Sequence, residues 1–170
     1  MIKLDYYSVC ICLAIYGVPT VGVVYRPSNK DLFFSIKGQG STYQNKGKSI
    51  RIPKVKNNKS MKDSLLITGF STEKGQVSDE EFNLFKHISS NVRGVRRLGS
   101  AALDMCYVAL GIFDGFWEGG LAPWDVSASG LICEEAGVKV TDYNGNPFSP
   151  FSDNFLVARQ PFYNKLKAYL

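Results

Sequence analysis

The sequence contains no apolar run long enough to cross a membrane and very few zinc-binding side chains. Its most apolar stretch, residues 6–16, is broken by Ser8 and falls short of the roughly 18 residues that a transmembrane helix needs. His87 is the only histidine, and no two of the four cysteines form a C-x-x-C pair, which argues against a tetrahedral zinc site. We therefore expect free thiols in a reducing cytoplasm and no membrane partner.

The composition lacks the biases of disordered, collagen-like and coiled-coil chains. Hydrophobic residues make up 45% of the 170 residues and charged residues 21%. A chain of this length can bury a sizeable core without disulfides or structural metals, and we predict one domain over residues 1–170. The net charge of +5 is mild, and it suits a small anionic ligand as well as a nucleic acid.

Acidic residues are absent between Leu32 and Lys62, whereas eight basic residues fall in that stretch. One interpretation is a nucleic-acid surface; the other is a solvated loop and a sheet edge protected by lysines. No aromatic side chains interleave the lysines of the polar linker, residues 53–63, as single-strand stacking would require. We favour the second interpretation and expect no nucleic-acid partner.

The hydrophobic pattern changes at this linker. Before it, alternating strands with short turns predict an antiparallel sheet within residues 1–52, with strands over residues 6–16, 20–26 and 32–36. In residues 64–170 short strands alternate with helices, which predicts a mixed or parallel sheet covered by helices. The sequence thus belongs to the α+β class.

Gly99, Ser100 and Ala101 stand between a predicted strand and a predicted helix. The glycine permits close approach of a ligand, and the free N–H groups of the first helical turn favour an anion. An ordinary turn followed by an N-cap serine explains the same residues.

Two carboxylates follow in similar surroundings. Glu118 comes at the end of a predicted strand, beside two glycines, where it can bond the hydroxyl groups of a substrate or simply face solvent. Asp125 falls in the first turn of a helix, where it can bind Mg²⁺ or only cap the helix. A single carboxylate is short of a complete magnesium site.

The order of these motifs resembles the inositol monophosphatase family of magnesium-dependent phosphomonoesterases. The resemblance rests on the R-R-L-G-S-A-A-L-D run at residues 96–104 and the W-D-V-S-A…E-A-G pattern at residues 124–137. Earlier segments also match, namely G-V-V-Y-R-P at residues 22–27, K-G-Q-G-S at residues 37–41 and T-G-F at residues 68–70. The family's fold is a layered αβαβα sandwich, to which we assign the chain.

The resemblance also implies roles for individual residues. Asp125 would be a ligand of a catalytic Mg²⁺, and Gly99, Ser100 and Ala101 would line the substrate pocket near the phosphate. Glu118 would bond a hydroxyl of inositol or of a similar polyol or sugar. The expected ligand is therefore a small phosphorylated polyol or sugar.

The sequence departs from the family at its other metal-binding motifs. Neither the G-E-E glutamate nor a D-P-[IL]-D-G-T segment occurs, and residues 5–9 align just after the latter. We expect a fold that is incomplete at the N-terminus, and little or no phosphatase activity from this chain alone. The alternative is a non-catalytic relative that binds a phosphorylated ligand or a partner. A fold that is incomplete at the N-terminus would leave the apolar strand at residues 6–16 uncovered. We therefore expect the chain to aggregate or to form a homodimer.

Overall fold

The fold was described from a computed structural model, which covers residues 5–70 and 78–170. Residues 9–51 form a five-stranded antiparallel sheet in which each strand pairs with the next along the chain. Its strands are β1 (Val9–Ile15), β2 (Val18–Arg26), β3 (Asp31–Ile36), β4 (Ser41–Asn45) and β5 (Lys48–Arg51).

The described residues from 65 onward form a mixed five-stranded sheet and four helices. The strand order is β7-β6-β8-β10-β9, with β6 parallel to both β7 and β8, and β10 antiparallel to β8 and β9. The elements are β6 (Leu65–Thr68), α1 (Asp79–Ser89), β7 (Gly94–Arg96), α2 (Ala101–Leu110), β8 (Gly115–Gly119), α3 (Pro123–Glu135), β9 (Lys139–Thr141), β10 (Asn154–Ala158) and α4 (Phe162–Lys167).

Helices α2 and α3 lie between the two sheets and carry most of the core. Helix α2 is buried over residues 102–109 and α3 at residue 126 and over residues 128–133, as expected of helices that lie between two sheets. The remaining helices, α1 and α4, contribute Ile88 and Phe162 to a second apolar cluster with Leu66 and Leu156 of the mixed sheet. The described residues therefore form four layers in the order sheet, helices, sheet, helices, which confirms the predicted α+β sandwich.

The first strand is shorter than residues 6–16 because its two ends have other roles. Tyr16 and Gly17 both take positive φ in the tight turn to β2, and the hairpin pairs Ile15 with Val18. At the other end, Tyr6 and Ser8 leave the ladder and bond residues of α2 and its N-cap. The start of the chain is thus drawn toward the gap between the sheets.

Strand β8 runs from Gly115 to Gly119 and therefore extends past Glu118, where the sequence predicts the end of a strand. Gly111 ends α2 in a left-handed conformation, and residues 112–114 form the connection. Within it, the buried Asp114 accepts hydrogen bonds from the backbone N–H of Leu65 and from Asn57, and pairs with Lys59 at 3.0 Å. This connection places Glu118 inside the strand rather than at its end.

Candidate functional site

A cleft of about 790 Å³ opens where the start of β1, the N-termini of α2 and α3 and the end of β8 meet. Each residue that the sequence singled out for a site lines this one cleft: Gly99, Ser100, Ala101, Glu118 and Asp125. Residues from separate parts of the chain are thus brought together, and their roles follow from the local geometry.

The turn before α2 is built around Gly99, whose φ of 95° favours glycine. Ser100 occupies the N-cap position, but its hydroxyl makes no capping bond and lies 3.2 Å from the Ser8 hydroxyl instead. The N–H groups of the first helical turn, beginning with Ala101, therefore remain available at the cleft. This geometry suits an anion such as a phosphate group.

Glu118 is held inside the mixed sheet with its carboxyl group turned to the cleft. Glu118 is only 8% exposed. A Cβ at position 69 of the neighbouring segment would overlap the Glu118 carboxyl group, so the glycine at that position leaves room for it. None of the described residues donates a hydrogen bond to this carboxyl group. Burial, reinforced by the negative charge of Asp104, raises the pKa of Glu118 to about 8. Such a group has unused capacity to bond a polar ligand.

Asp104 is a second buried carboxyl group of the cleft, and sequence reasoning missed it. It accepts a 2.6 Å hydrogen bond from the hydroxyl of Tyr6, and burial raises its pKa to about 7. The available signal was its position as the one charged residue in the otherwise apolar α2. Its partner Tyr6 lies 98 positions away, and no local pattern connects the two.

Asp125 lies in the first turn of α3, half-buried at the cleft wall. One carboxylate oxygen accepts the backbone N–H of Ala122 at 3.1 Å, which fixes the side chain and leaves the second oxygen free. Pro123 fits the first helical position because it has no N–H to satisfy. Asp125 is thus oriented to ligate a cation through one oxygen.

The donor set around Asp125 does not fit a self-contained magnesium site. In residues 5–70 and 78–170, no group of three or more His, Cys, Asp or Glu side chains is arranged to hold a metal ion. The other two carboxyl groups of the cleft have raised pKa values and lie in buried surroundings. Asp125 would therefore supply a single protein ligand.

Aromatic and basic side chains at the rim were also missed by sequence reasoning. Arg97 stands over the ring of Phe70, with its guanidinium carbon 5.4 Å from the ring centroid. Trp124 is 77% exposed beside Asp125. The pair Arg97 and Phe70 lies within two matched motifs, yet its contact depends on the tertiary fold.

Two other matched motifs position the cleft without entering it. The Glu135 carboxylate accepts the backbone N–H groups of Gly38 and Gly40, each at 2.7 Å. These bonds tie the turn after β3 to the end of α3, the helix whose first turn carries Asp125. The K-G-Q-G and E-A-G motifs are thus one structural contact between the first sheet and α3.

All four cysteines are free, and Cys106 and Cys133 are buried between the sheets. Among the helices of the described ranges, none has the length and apolar character that crossing a bilayer requires.

Comparison with known proteins agrees with this fold and cleft. The model of the inositol monophosphatase family matches residues 2–169. "Nus factor SuhB" of Pasteurella multocida is 37% identical over 158 residues, which are 93% of this chain and 57% of that protein. "Inositol-1-monophosphatase" of Synechocystis sp. is 36% identical over 162 residues, with 95% of this chain and 55% of that protein covered.

A solved structure shows the same architecture. The inositol monophosphatase from Anabaena (Nostoc) sp. superposes with a TM-score of 0.87 at 38% identity, covering 97% of this chain and 64% of that one. The chain spans a little more than half the length of the two relatives named above. The family match over nearly every residue shows that this chain belongs to the inositol monophosphatase family.

Proposed function

We propose that this chain binds a small phosphate monoester of a polyol or sugar, such as an inositol phosphate, in the cleft between its sheets. In this proposal it carries the substrate-binding part of a magnesium-dependent phosphomonoesterase. The observation that supports it best is Glu118, a buried carboxyl group with no hydrogen-bond donor among the described residues, which lines the same cleft as the N-terminus of α2.

The two sides of the cleft suit the two parts of such a ligand. The N–H groups of the first turn of α2, beginning with Ala101, and the nearby Arg97 are suited to the phosphate, which carries the negative charge. Glu118 is suited to the hydroxyl groups, because a carboxyl group with a pKa of about 8 is mostly protonated at neutral pH and can both donate and accept. A ligand that spans both sides must contain a phosphate and a hydroxylated body.

Asp125 is the proposed protein ligand of Mg²⁺. One protein carboxylate with a ligand phosphate binds Mg²⁺ weakly, since dedicated sites employ more ligands. We therefore propose that the chain by itself binds its ligand and turns it over very slowly or not at all. The same shortage of carboxylates favours the second candidate function, a non-catalytic protein that binds a phosphorylated ligand.

We propose no nucleic-acid partner, although several relatives are named Nus factors. The eight basic side chains of residues 37–62 are exposed, and one of them, Lys59, is paired with Asp114. Binding to a duplex should be weak, and any binding should be measured against salt. A steep fall of log affinity with log salt would contradict this proposal.

A cytoplasmic location is proposed from the thiols. The half-buried Cys10 and Cys12 occupy alternate positions on one strand, and both are free. Oxidising compartments convert suitable thiols to disulfides, whereas the cytoplasm keeps them reduced.

Binding by calorimetry tests the proposed function directly. The purified chain is titrated with inositol monophosphate, with and without Mg²⁺, alongside the variants Glu118→Met and Asp125→Asn. We expect Glu118→Met, which keeps the length of the side chain but removes its donor and acceptor, to weaken binding about tenfold in both conditions, since a lost ligand hydrogen bond of about 1.4 kcal/mol has that effect. Asp125→Asn should weaken binding only when Mg²⁺ is present.

The matched control is Glu134→Gln, which removes an exposed carboxylate of α3 outside the cleft lining. The affinity of this control variant for inositol monophosphate should equal that of the unmodified chain. Loss of affinity in the control, or unchanged affinity in both cleft variants, would contradict the proposed site.

A further inference from the structure

The ionisable side chains of the cleft differ in sign from the charge of the whole chain. The chain has a net charge of +5, yet three carboxyl groups line the cleft, those of Asp104, Glu118 and Asp125. Arg97 is the one basic side chain among the described residues of the lining. A ligand that carried only the negative charge of a phosphate would therefore meet more acidic than basic groups, and like charges repel.

Asp104 and Asp125 already have partners within the protein, whereas Glu118 has none. Asp104 is 1% exposed and accepts the 2.6 Å hydrogen bond from the Tyr6 hydroxyl. Asp125 accepts the N–H of Ala122, and its second oxygen is the proposed ligand of Mg²⁺. Glu118 is as buried as the core, and none of the described residues donates a hydrogen bond to its carboxyl group. Because a buried carboxyl group without a partner is costly, the partner should come from the ligand.

The titratable groups around Glu118 are mostly acidic. They come from separate elements, namely Asp104 of α2, Asp125 of α3, Glu81 of α1, Arg97 before α2 and Tyr143 after β9. Burial raises the pKa of Glu118, the three carboxylates add to the rise, and Arg97 opposes it. A positive charge placed beside Glu118 would lower this pKa and stabilise the carboxylate form.

The two sides of the cleft thus suit opposite charges. The N–H groups of the first turn of α2, beginning with Ala101, favour an anion, whereas Glu118 favours a cation. An ammonium group suits a single carboxylate, since it carries one charge and its other N–H groups can bond water. A ligand with a phosphate at one end and an ammonium group on its body complements both sides.

We propose that the cleft prefers phosphate monoesters of amino sugars over those of plain sugars, with Glu118 as the carboxylate that pairs with the ammonium group of the ligand. This preference rests on the proposed function, whose class of ligand it narrows. On binding, Glu118 releases its proton to solvent, and the ammonium group donates a hydrogen bond to the resulting carboxylate. No covalent bond of the ligand breaks in this step.

Calorimetry with matched sugar phosphates tests the preference. The purified chain is titrated at pH 7 without Mg²⁺, using glucosamine 6-phosphate against glucose 6-phosphate and glucosamine 1-phosphate against glucose 1-phosphate. The members of each pair differ only in an ammonium or a hydroxyl group at one carbon atom, and the two pairs place that group at different distances from the phosphate. In at least one pair the amino sugar should bind about tenfold more tightly, since hydrogen bonds between charged groups are roughly twice as strong as neutral ones. N-acetylglucosamine 6-phosphate, which is uncharged at that carbon, should bind no more tightly than glucose 6-phosphate.

Three variants locate the preference. Glu118→Gln should bring the ratio of affinities within the pair to about one, because an amide carries no charge. Asp125→Asn removes the other carboxylate of the cleft wall and should keep the ratio, as should the control Glu134→Gln outside the lining. If Asp125→Asn abolished the ratio while Glu118→Gln kept it, the ammonium group would bind at the other carboxylate and the proposal would fail.

Proton release is a readout that a purely structural role of Glu118 would not change. Because Glu118 must ionise in order to pair, the amino sugar should release about one proton more at pH 7 than the matched sugar. Titrations in two buffers with different heats of ionisation measure this difference. The ratio of affinities should also rise from pH 5 to pH 7, as ionisation of Glu118 becomes less costly, and Glu118→Gln should lose both effects.

The preference and the proposed function can fail separately. Equal affinities in both pairs, or equal proton release, would overturn the preference while sugar phosphates still bind. If neither these sugar phosphates nor inositol monophosphate binds, the proposed function is contradicted and the preference falls with it.

Discussion

Two carboxyl groups in the cleft are buried, which costs free energy of folding, and the packing of the rest of the fold offsets this cost. Glu118 and Asp104 are both buried carboxyl groups; burial raises the pKa of each, and Asp104 adds to the rise at Glu118. Enzyme and binding sites commonly contain such groups because a ligand, once bound, supplies the missing hydrogen bonds. The pH dependence of stability should therefore report on both carboxyl groups, and the Glu118→Gln variant separates the part that belongs to Glu118.

The folded protein should lose stability as the pH rises from about 4.5 to about 8. Glu118 has a pKa of about 8 in the folded chain against 4.5 ordinarily, so within this window the folded state holds a proton that the unfolded state has released. Glu118→Gln removes this titration, and at pH 8 it should stabilise the fold by on the order of 2 kcal/mol. Urea denaturation at pH 5 and pH 8 measures the difference.

The control for this titration is Glu80→Gln, at an exposed position in the first turn of α1. It should keep the pH dependence of the unmodified protein. A Glu118→Gln protein whose stability still falls between pH 5 and 8 as steeply as before would show that Glu118 is charged in the fold.

A second residue-scale prediction concerns Tyr6, whose hydroxyl donates to the buried Asp104. Tyr6→Phe removes this donor, so the pKa of Asp104 should rise further and the fold should lose about 1–2 kcal/mol. Tyr16→Phe is the matched control, because Tyr16 is fully exposed and its change should fall within about 0.5 kcal/mol. Equal denaturant midpoints for all three proteins would contradict a stabilising role for the hydrogen bond.

Sequence motifs located the five predicted site residues but not the residues that support them. Gly99, Ser100 and Asp125 could be found because each belongs to a run of neighbouring matched letters. Tyr6 and Asp104 meet only after the whole sandwich has formed, and their separation along the chain hides the contact.

At the scale of elements, the first sheet and α3 approach each other closely through a glycine. A Cβ on Gly22 of β2 would lie 2.8 Å from the backbone oxygen of Ala128 in α3, which cannot move aside like a side chain. Gly22→Ala should therefore destabilise the fold by about 1–3 kcal/mol, as overpacked cores do. Thermal denaturation of the variant and of the unmodified protein measures this loss of stability.

Gly94→Ala, in strand β7, is the comparison. Its Cβ would meet only flexible side-chain atoms, the nearest being an Arg96 nitrogen at 3.3 Å. It should change stability by less than about 1 kcal/mol. If Gly22→Ala destabilised the fold as little as Gly94→Ala, the close contact described between β2 and α3 would be contradicted.

The order of strands and helices could be predicted from alternation and turn residues, whereas their ends could not. The predicted first strand ran to residue 6 because Tyr6 and Tyr7 continue the apolar pattern. In the structure the hydrogen bonds of Tyr6 and Ser8 to the α2 region outweigh that local preference. Similarly, β8 begins only after Asp114, which is fixed by Leu65, Asn57 and Lys59.

At the scale of the whole molecule, the two sheets enclose α2 and α3 and position the cleft at one end of both helices. The change of period at the polar linker predicted this division, because an antiparallel meander and alternating strands and helices require different sheets. The apolar first strand was visible in the sequence, but the face of the first sheet that α3 covers depends on which elements pack where.

The central claim is that the cleft binds a phosphate monoester while Asp125 alone holds Mg²⁺ too weakly for efficient hydrolysis. Phosphate release from inositol monophosphate by the purified chain, with Mg²⁺ and with a chelator, tests it most directly. We predict no release above the protein-free control under conditions in which calorimetry detects binding. Chelator-sensitive turnover at ordinary enzyme rates, roughly 1–1,000 per second, would contradict the account.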